Sequence, residues 1–353
     1  MPAISPDSLV LLTGASGYLA VHVLKQLLER GFRVRGTVRT AEKGDDLKRR
    51  LAKDGLDANF EYVLVEDVEQ PNAFDQAVQG VDAVVHTASP FHFNVTKPDE
   101  LIGPAVQGTL SALRAAAGEP SVKRVVITAS FACVVEPKDP VYTFTEKDWN
   151  EFSPKLVEEQ GEACDKSQMY RASKTLAERA AWKYLDTEKP SFDLVTIQPP
   201  LIFGPVLHAV KAPSALNTSV NNFFQFLEGR KSAEDAQVGF GSFVDVRDVA
   251  LIHVESLLNA KAGNERFLVA TADSSYQPLL DLFHTHASPA LRAAFPHAEK
   301  GQPGKPKPTQ NVIDTAKVRK TFAWQPRDAK DTVIDMAESL AEYKKEWEAA
   351  GEA

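Results

Sequence analysis

The sequence predicts an α/β protein built on a doubly wound parallel sheet, with a smaller C-terminal lobe. Two observations predict this fold. Short, almost wholly apolar runs alternate with helix-like segments through the first half of the 353-residue chain, as in parallel sheets that are covered by helices on both faces. A glycine-rich turn, at residues 13–20, also joins the first apolar run to the first helical segment. Together they indicate strands connected by helical crossovers.

The expected strands are short and rich in aliphatic and β-branched residues. They lie at 9–12, 33–38, 60–65, 83–87, 124–128 and 193–197. The first helix, 18–30, is apolar along one side and ends at Gly31, and a long helix is expected at 166–185. Nearly continuous apolar character is what burial on both faces of a parallel sheet requires.

The pattern changes after residue 200. Loop signals and a helix at 216–227 follow, and a surface helix at 332–347 closes the chain. Strands at 243–246 and 266–269 are expected to return to the main sheet. The predicted division is a Rossmann-type nucleotide-binding domain at 1–200, with 240–273 returning to it, and a substrate-binding lobe at 201–239 and 274–353.

The turn at 13–20 has the spacing of a dinucleotide-binding site. Gly14 permits a tight turn, Gly17 lets the main chain approach a pyrophosphate, and Ala20 keeps helix and strand close. The helix N-terminus then offers N–H groups and a positive dipole to the phosphates. A purely structural turn is the alternative, but the strand before it and the helix after it favour a dinucleotide. The residues expected to contact the cofactor here are Gly14, Ser16, Gly17, Tyr18 and Leu19.

The end of the second strand favours NADPH over NADH. An acidic residue there would bind the ribose 2′-hydroxyl of NAD, whereas an arginine accommodates the 2′-phosphate of NADP. This chain has Arg39 directly after Val38, with Lys43 nearby. A guanidinium suits a phosphate because it offers several fixed donors and a permanent charge. Two solvated surface cations are the alternative interpretation.

Tyr170 and Lys174 are the predicted proton donor and its cationic partner. Residues four apart share a helix face, so both side chains point into the same space. We expect the Lys174 cation to favour the ionised phenol and so to lower the pKa of Tyr170 towards working pH. Such pairs also occur on solvent-facing helices, but the chain has seven tyrosines and Tyr170 alone has a lysine four residues on.

Ser130 is the third predicted catalytic residue. It directly follows the fifth apolar strand. Ligands bind outside the carboxyl ends of strands in open parallel sheets, so its hydroxyl would lie at the edge where a substrate carbonyl oxygen can be bound. A serine that only begins a turn is the alternative, and the presence of Tyr170 and Lys174 favours the catalytic role.

These residues together resemble the extended short-chain dehydrogenase/reductase superfamily. The resemblance is greatest to its branch of dihydroflavonol-reductase-like enzymes and fungal aldehyde, ketone and methylglyoxal reductases, and it covers nearly the whole chain. The segments that carry it are 13–20, 34–39, 86–91, 104–109, the Tyr170-x-x-x-Lys174 pair and 198–205.

The resemblance implies further site residues. Asp67 and Val68 would meet the adenine, Thr87, Ala88 and Ser89 would line the cofactor, and Pro199 would pack near the nicotinamide. Tyr170 would act as the acid, Lys174 would anchor the cofactor and Ser130 would orient the carbonyl. The implied activity is reduction of an aldehyde or ketone by hydride transfer from NADPH.

The sequence departs from the superfamily's pattern in two places. Many members carry Asn where this chain has Ala105, so a water relay held by Asn is not expected. The segment 161–165 lacks the Trp-Tyr-Cys motif of the plant enzymes for cinnamoyl-CoA, which counts against that substrate. Phe91, Phe93 and Phe131 follow strand ends and could line an apolar substrate pocket, or equally pack between the two lobes.

Composition limits the partners. The formal net charge is −8 and no Lys/Arg run stands out, which argues against nucleic acid or an anionic membrane. Neither Cys133 nor Cys164 lies in a metal-binding pattern, and no signal peptide or membrane span is recognisable, so a metal-free cytosolic protein is expected. The oligomeric state is not determined. Two alternatives stay open: a sugar-nucleotide epimerase or dehydratase that retains bound NAD, and an NADP sensor without turnover.

Overall fold

The computed structural model describes residues 4–70, 72–88, 95–138, 142–271, 273–304 and 311–351. The strands are β1 (Leu9–Thr13), β2 (Arg33–Val38), β3 (Phe60–Leu64), β4 (Ala83–His86), β5 (Arg124–Thr128), β6 (Thr143–Phe144), β7 (Asp193–Gln198), β8 (Leu201–Phe203), β9 (Gly239–Asp245), β10 (Glu265–Leu268), β11 (Asp273–Ser275) and β12 (Val312–Ile313). The helices are α1 (Tyr18–Glu29), α2 (Ala41–Lys53), α3 (Asp99–Gly118), α4 (Phe152–Gln160), α5 (Lys166–Glu188), α6 (Thr218–Leu227), α7 (Ala233–Ala236), α8 (Val246–Leu258), α9 (Tyr276–His286), α10 (Pro289–Ala294), α11 (Ala316–Phe322) and α12 (Ala329–Ala350).

Seven parallel strands form the central sheet in the order β10-β7-β5-β4-β1-β2-β3. β1 pairs with β2 on one side and with β4 on the other. The chain therefore builds from β1 to β3 and then returns across β1 to add the remaining strands. In doubly wound sheets a ligand crevice lies at the carboxyl ends of the strands where the order reverses, here β1 and β4. The predicted fold class is confirmed.

Alternate strand residues face two separate apolar layers. In β1, Val10 and Leu12 pack into the core shared with α1 and α8, whereas Leu9 and Leu11 pack into the core shared with α3 and α5. The two-residue period of a strand sends neighbouring side chains to opposite faces. Both faces are covered by helices, and for that reason the strand is apolar at every position.

Helices α3 and α5 pack against each other on one face of the sheet. Their buried positions carry mainly small side chains, which allow the two helices to approach closely: Ala105, Gly108, Ala112, Ala172, Ala177 and Ala181. Helix α5 also packs against the short turn Phe131–Cys133 that follows β5. The amino-terminal half of α5 is thereby held beside the carboxyl end of β5.

A second core is formed by residues after 200. The strand expected at 243–246 lies in β9, which pairs with β8 and β11 in a separate three-stranded sheet, so its predicted return to the central sheet is wrong. The strand expected at 266–269 lies in β10, beside β7 at the edge of the central sheet. A short apolar run indicates burial but does not say in which sheet. In β9, Phe243 packs into the second core and Val244 into the first. The apolar run is therefore buried on both sides although it lies outside the central sheet.

The C-terminal helix α12 closes the second core. Its Trp347 is 2% exposed, contacts the Phe224 ring edge-on at 5.8 Å between centroids, and stacks on Tyr343. The indole N–H donates to the Val210 carbonyl at 2.8 Å. The opposite face of α12 is exposed, at Glu342 among others, as expected for a helix on the protein surface.

Replacing Trp347 tests this packing. Trp347→Ala should lower the free energy of unfolding by about 3–5 kcal/mol, because it leaves a cavity and an unpaired Val210 carbonyl. Urea unfolding measures the change, with the exposed Glu342→Ala on the same helix as the matched control. A Trp347→Ala midpoint equal to that of the control would contradict the packing described.

Candidate active site

The glycine-rich turn between β1 and α1 lies tightly against the end of β4. Gly14 has a φ of +66°, and a Cβ there would stand 3.2 Å from both Cα and Cβ of Ala88. The Gly17 N–H donates to the Gly14 carbonyl at 2.9 Å, and the first bond within the helix runs from Val21 N–H to the Gly17 carbonyl. The N–H groups of the first turn of α1 have no partners within the helix, which is the usual anion site of such a turn.

Thr13, at the end of β1, joins the turn to the end of β4. Its hydroxyl oxygen accepts from the N–H groups of Thr87 and Ala88, both at 3.1 Å. The Thr87 hydroxyl donates back to the Thr13 carbonyl at 2.6 Å. With both acceptor positions taken, the Thr13 hydroxyl donates its proton to His86 Nδ1 at 3.0 Å. His86 is therefore protonated on Nε2, and Thr87 and Ala88 are held after the end of β4, beside the glycine-rich turn.

The side chains of Tyr18 and Leu19, two of the predicted turn residues, pack against different parts of the protein. Tyr18 is buried, and its hydroxyl donates to the Gly204 carbonyl at 2.9 Å. The side chain therefore points to the second lobe, and only its main chain belongs to the anion site. Leu19 packs between the two cores, while Ser16 is half-buried and Gly17 is exposed. The main chain is thus the accessible part of this turn.

Arg39 and Asp67 lie together beyond the carboxyl ends of β2 and β3. Hydrogen bonds from the Gln70 side chain and the Glu69 N–H lower the pKa of Asp67, and the charge of Arg39 lowers it further. Arg39 itself is exposed. The charge of Arg39 thus acts on Asp67 at the place where the sequence predicts the phosphate-bearing ribose and the adenine.

Lys43 and Val68 flank this pair. Lys43 lies in the first turn of α2, where its main-chain N–H donates to Thr40 Oγ1 at 3.4 Å and its side chain is exposed. Val68 is half-buried, and its side chain faces Gly108 of α3. The capping role of Thr40 was not anticipated from the sequence, although threonine before a helical run is a typical N-cap.

Helix α5 brings Tyr170 against the end of β5. The helix begins after Asp165, whose carboxylate accepts from the Ser167 N–H at 2.9 Å and caps the first turn. Ser130 follows β5 in an extended conformation and is hydrogen-bonded to the Tyr170 hydroxyl. Its oxygen also accepts from the Ala132 N–H at 3.1 Å. Two of the three predicted catalytic residues are thus in direct contact.

The ionisation of Tyr170 differs from the sequence-based expectation. Burial raises the pKa of its hydroxyl to about 12; the Ser130 hydrogen bond lowers the pKa, Cys133 raises it and Arg171 lowers it. The expectation that Lys174 brings this pKa towards neutrality is wrong here, because desolvation of the phenolate outweighs the attraction of nearby cations. Tyr170 therefore holds its proton at neutral pH.

Lys174 lies one turn after Tyr170 and is half-buried. Burial lowers the pKa of its ammonium group, whereas Cys133 and Glu178 raise it. Burial, and after it the charge of Lys174, lowers the pKa of His86 to about 3. Lys174 is therefore close to the carboxyl end of β4 as well as to the turn that follows β5, which places it at the crevice.

The remaining predicted residues divide into two groups. The Phe131 N–H donates to the Pro199 carbonyl at 2.9 Å, which ties the turn after β5 to the end of β7. The Phe131 ring is half-buried and would stand 3.9 Å from a Cβ at Gly241 of β9, so it faces the second lobe. Ser89, Phe91 and Phe93 lie outside the described residues.

These features define a class of protein: a doubly wound dinucleotide-binding sheet with a Ser-Tyr-Lys arrangement at its switch point. The chain belongs to the NAD dependent epimerase/dehydratase family, whose model matches residues 10–270. The expected membership of the extended short-chain dehydrogenase/reductases is confirmed.

Three similar proteins have a named activity or a solved structure. The chain is 36% identical over 346 residues to a ketoreductase of Aspergillus niger, which covers 94% of this chain and 97% of the relative. It is 36% identical to aldehyde reductase 2 of Sporidiobolus salmonicolor, over 85% of this chain and 87% of the relative. The crystal structure of Gre2 from Candida albicans in complex with NADPH matches with a TM-score of 0.81 and 32% identity, over 95% and 99% of the two chains.

Within the ranges described above, no helix is both long and apolar enough to cross a membrane.

The contact between Gly14 and Ala88 can be tested by substitution. Gly14→Ala should weaken NADPH binding and lower the melting temperature, because a Cβ would combine a left-handed backbone with a clash against the end of β4. Gly80→Ala is the matched control, since Gly80 has a similar φ of +69° but nothing within 4 Å of its Cβ position. Both variants carry the left-handed cost of about 1–2 kcal/mol. Fluorescence titration that finds equal NADPH affinity in the two variants would contradict the described contact.

Proposed function

We propose that this chain reduces an aldehyde or ketone to the alcohol with hydride from NADPH, and that Tyr170 supplies the proton. The observation that carries the proposal is the contact between the Tyr170 and Ser130 hydroxyls, one helical turn from Lys174 and at the crevice formed with β4. The chain is an oxidoreductase, and the named activities of its relatives, a ketoreductase and an aldehyde reductase, agree with this site.

The residues present fit NADPH. A Cβ would fill the space at Gly14 where turn and strand meet, and Gly17 is exposed at the start of α1. The turn would hold the pyrophosphate, Arg39 and Lys43 the 2′-phosphate, and Asp67 and Val68 the adenine. Thr87 and Ala88 would line the cofactor, with Pro199 beside the nicotinamide, as the resemblance implies.

Each of the three catalytic side chains has one role in the proposed carbonyl reduction. Bound NADPH supplies the hydride that reaches the carbonyl carbon. When a substrate binds, the hydroxyls of Ser130 and Tyr170 exchange their mutual contact for hydrogen bonds to the carbonyl oxygen. Tyr170 then transfers its proton to that oxygen as negative charge develops there. The Lys174 ammonium stabilises the phenolate that remains until a solvent proton restores it. A Tyr170 pKa of about 12 suits this direction, since the phenol enters the step protonated.

The same observations bear on the alternatives. Arg39 at the end of β2 favours NADPH. The first alternative, a sugar-nucleotide epimerase or dehydratase, would instead retain bound NAD. An NADP sensor without turnover transfers no proton, so it would not require the contact between Ser130 and Tyr170. Free thiols at Cys133 and Cys164 support the cytoplasm as the proposed compartment.

The proton donor is tested by Tyr170→Phe. Its kcat for reduction of a simple aldehyde should fall by roughly 100- to 10,000-fold, the usual contribution of a general acid. NADPH binding should persist. Tyr184→Phe, on the same helix, is the control and should retain turnover. Consumption of NADPH followed at 340 nm measures both; wild-type turnover in Tyr170→Phe would exclude the assigned donor.

The cofactor preference is tested by Arg39→Gln. Loss of a charged hydrogen-bond donor to the 2′-phosphate should raise KM for NADPH by roughly 10- to 100-fold, with little effect on KM for NADH. Arg49→Gln, an exposed arginine of α2, is the control. If the ratio of the two KM values stays at its wild-type level in Arg39→Gln, the phosphate is held elsewhere.

A further inference from the structure

A buried carboxylate lies directly behind the proposed catalytic pair. Glu178 follows Lys174 by four residues and Tyr170 by eight, so the three side chains share one face of α5. Glu178 is 2% exposed. Burying a carboxylate is costly unless it is paired and hydrogen-bonded. Partners for the Glu178 carboxylate are therefore expected within the core.

Glu178 ties α5 to two strands of the central sheet. Oε1 accepts from Thr196 Oγ1 at 2.7 Å and from Gln198 Nε2 at 2.6 Å, both on β7. The Arg266 guanidinium, on β10, donates from Nε to Oε1 at 2.9 Å and from Nη2 to Oε2 at 3.2 Å. One carboxylate therefore fixes the helical turn after Lys174 to the neighbouring strands.

Arg266 is itself held in place. Its Nη1 donates to the carbonyls of Glu146 at 2.6 Å and Asp148 at 2.9 Å, and its guanidinium lies 3.7 Å from the centre of the Trp149 ring. A planar guanidinium that is stacked and bonded on both sides has little freedom to turn. The carboxylate of Glu178 thus meets a partner that is already oriented.

Glu178 also faces the proposed site. With Lys174 and His86 it lines a cavity of about 10 Å³ at the ends of β4 and β5. Burial raises the pKa of the Cys133 thiol, and the nearby charge of Glu178 raises it further. Among the residues that the structure describes, the charges of Cys133 after β5 and Glu178 on α5 act on Lys174, and the charge of Lys174 acts on His86 of β4. Tyr170 lies one turn before Lys174 on the same helix. His86 and Cys133 are neutral at pH 7, and Glu178 brings the negative charge.

From this arrangement we propose that Glu178 is a positioning residue for the reductase. Locked to Arg266, Thr196 and Gln198, its carboxylate holds the turn of α5 that carries Lys174 and supplies the negative charge that favours the ammonium form in a buried site. The inference rests on the proposed roles of Tyr170 and Lys174. It adds a residue that touches neither substrate nor cofactor and acts through Lys174.

Glu178→Gln should shift the pH profile of the reductase. Removing the carboxylate charge disfavours the Lys174 ammonium, so the alkaline limb of kcat/KM against pH should move down by about one pH unit, equivalent to a tenfold change in proton binding. Glu178→Asp retains the negative charge, so its alkaline limb should lie close to the pH of the wild-type limb. Both variants should also lose thermal stability, because Arg266 loses its matched partner.

Asp193→Asn is the matched control. Asp193, at the start of β7, forms a buried bidentate pair with Arg124 at 2.7 and 2.9 Å, at the opposite end of the strand from Gln198. Its loss should lower the melting temperature as Glu178→Gln does, but leave the pH profile unchanged. Equal profiles in Glu178→Gln, Asp193→Asn and wild type would reduce Glu178 to a structural role and overturn the proposal.

A second variant covers the case in which Glu178→Gln does not fold. Arg266→Gln removes the neutralising cation, while Thr196 and Gln198 still donate to the carboxylate beside Lys174. The alkaline limb should therefore move to higher pH, and an unmoved or lowered limb would overturn the proposal. Lys174→Met, assayed in parallel, distinguishes a failure of the proposed function from a failure of the role proposed for Glu178. Full turnover in Lys174→Met contradicts the proposed function itself, whereas an inactive Lys174→Met with an unshifted limb in the Glu178 and Arg266 variants contradicts only the role of Glu178.

Discussion

Burial of the polar face of α5 is the constraint on which the rest of the site depends. The helix lays Tyr170, Lys174 and Glu178 against the carboxyl ends of the central strands, although each of these groups is costly to desolvate without a partner. The partners come from the sheet: Ser130 after β5 reaches the phenol, and Arg266 on β10 reaches the carboxylate. Small residues on α3 and α5 allow the close packing that keeps this face in place.

The nucleotide side of the crevice is built from main chain rather than side chains. The turn after β1 can approach β4 because Gly14 has no Cβ, and the Thr13 hydroxyl then bonds the two strand ends together. This leaves the first-turn N–H groups of α1 and the exposed Gly17 available to a phosphate. Tyr18, which follows, contributes its side chain to the second lobe instead. One short segment thus carries the first-turn N–H groups of α1 and also connects the two cores.

The second lobe is joined to the first through β9. Its Phe243 and Val244 belong to different cores, so the strand forms part of both. Gly241 of the same strand approaches the ring of Phe131, next to Ser130. The lobe is closed by α12, whose Trp347 and Tyr343 bond to carbonyls of the segment after β8. The position of the segment after β8 therefore depends on the packing of the C-terminal helix.

Much of this protein follows from local patterns in its sequence. The fold class, strands β1 to β5 and β7, the glycine-rich turn between β1 and α1, and the shared helix of Tyr170 and Lys174 could all be predicted, because each depends on periodicity or spacing within a short segment. The sequence also contained a signal for Glu178, which lies one further turn along the same helix face, but a carboxylate at that spacing is equally typical of a solvated surface.

Tertiary structure decided the rest. The strand expected at 243–246 could belong to either sheet by its own pattern. Its neighbours place residues 243–245 in the smaller sheet, and Val246 begins α8. The pKa of Tyr170 is set by burial against the turn after β5, which outweighs the nearby charges that the helix spacing suggests. The partner of Glu178 is 88 residues away in the chain. Strand partners, desolvation and buried ion pairs all join distant segments, so no local pattern contains them.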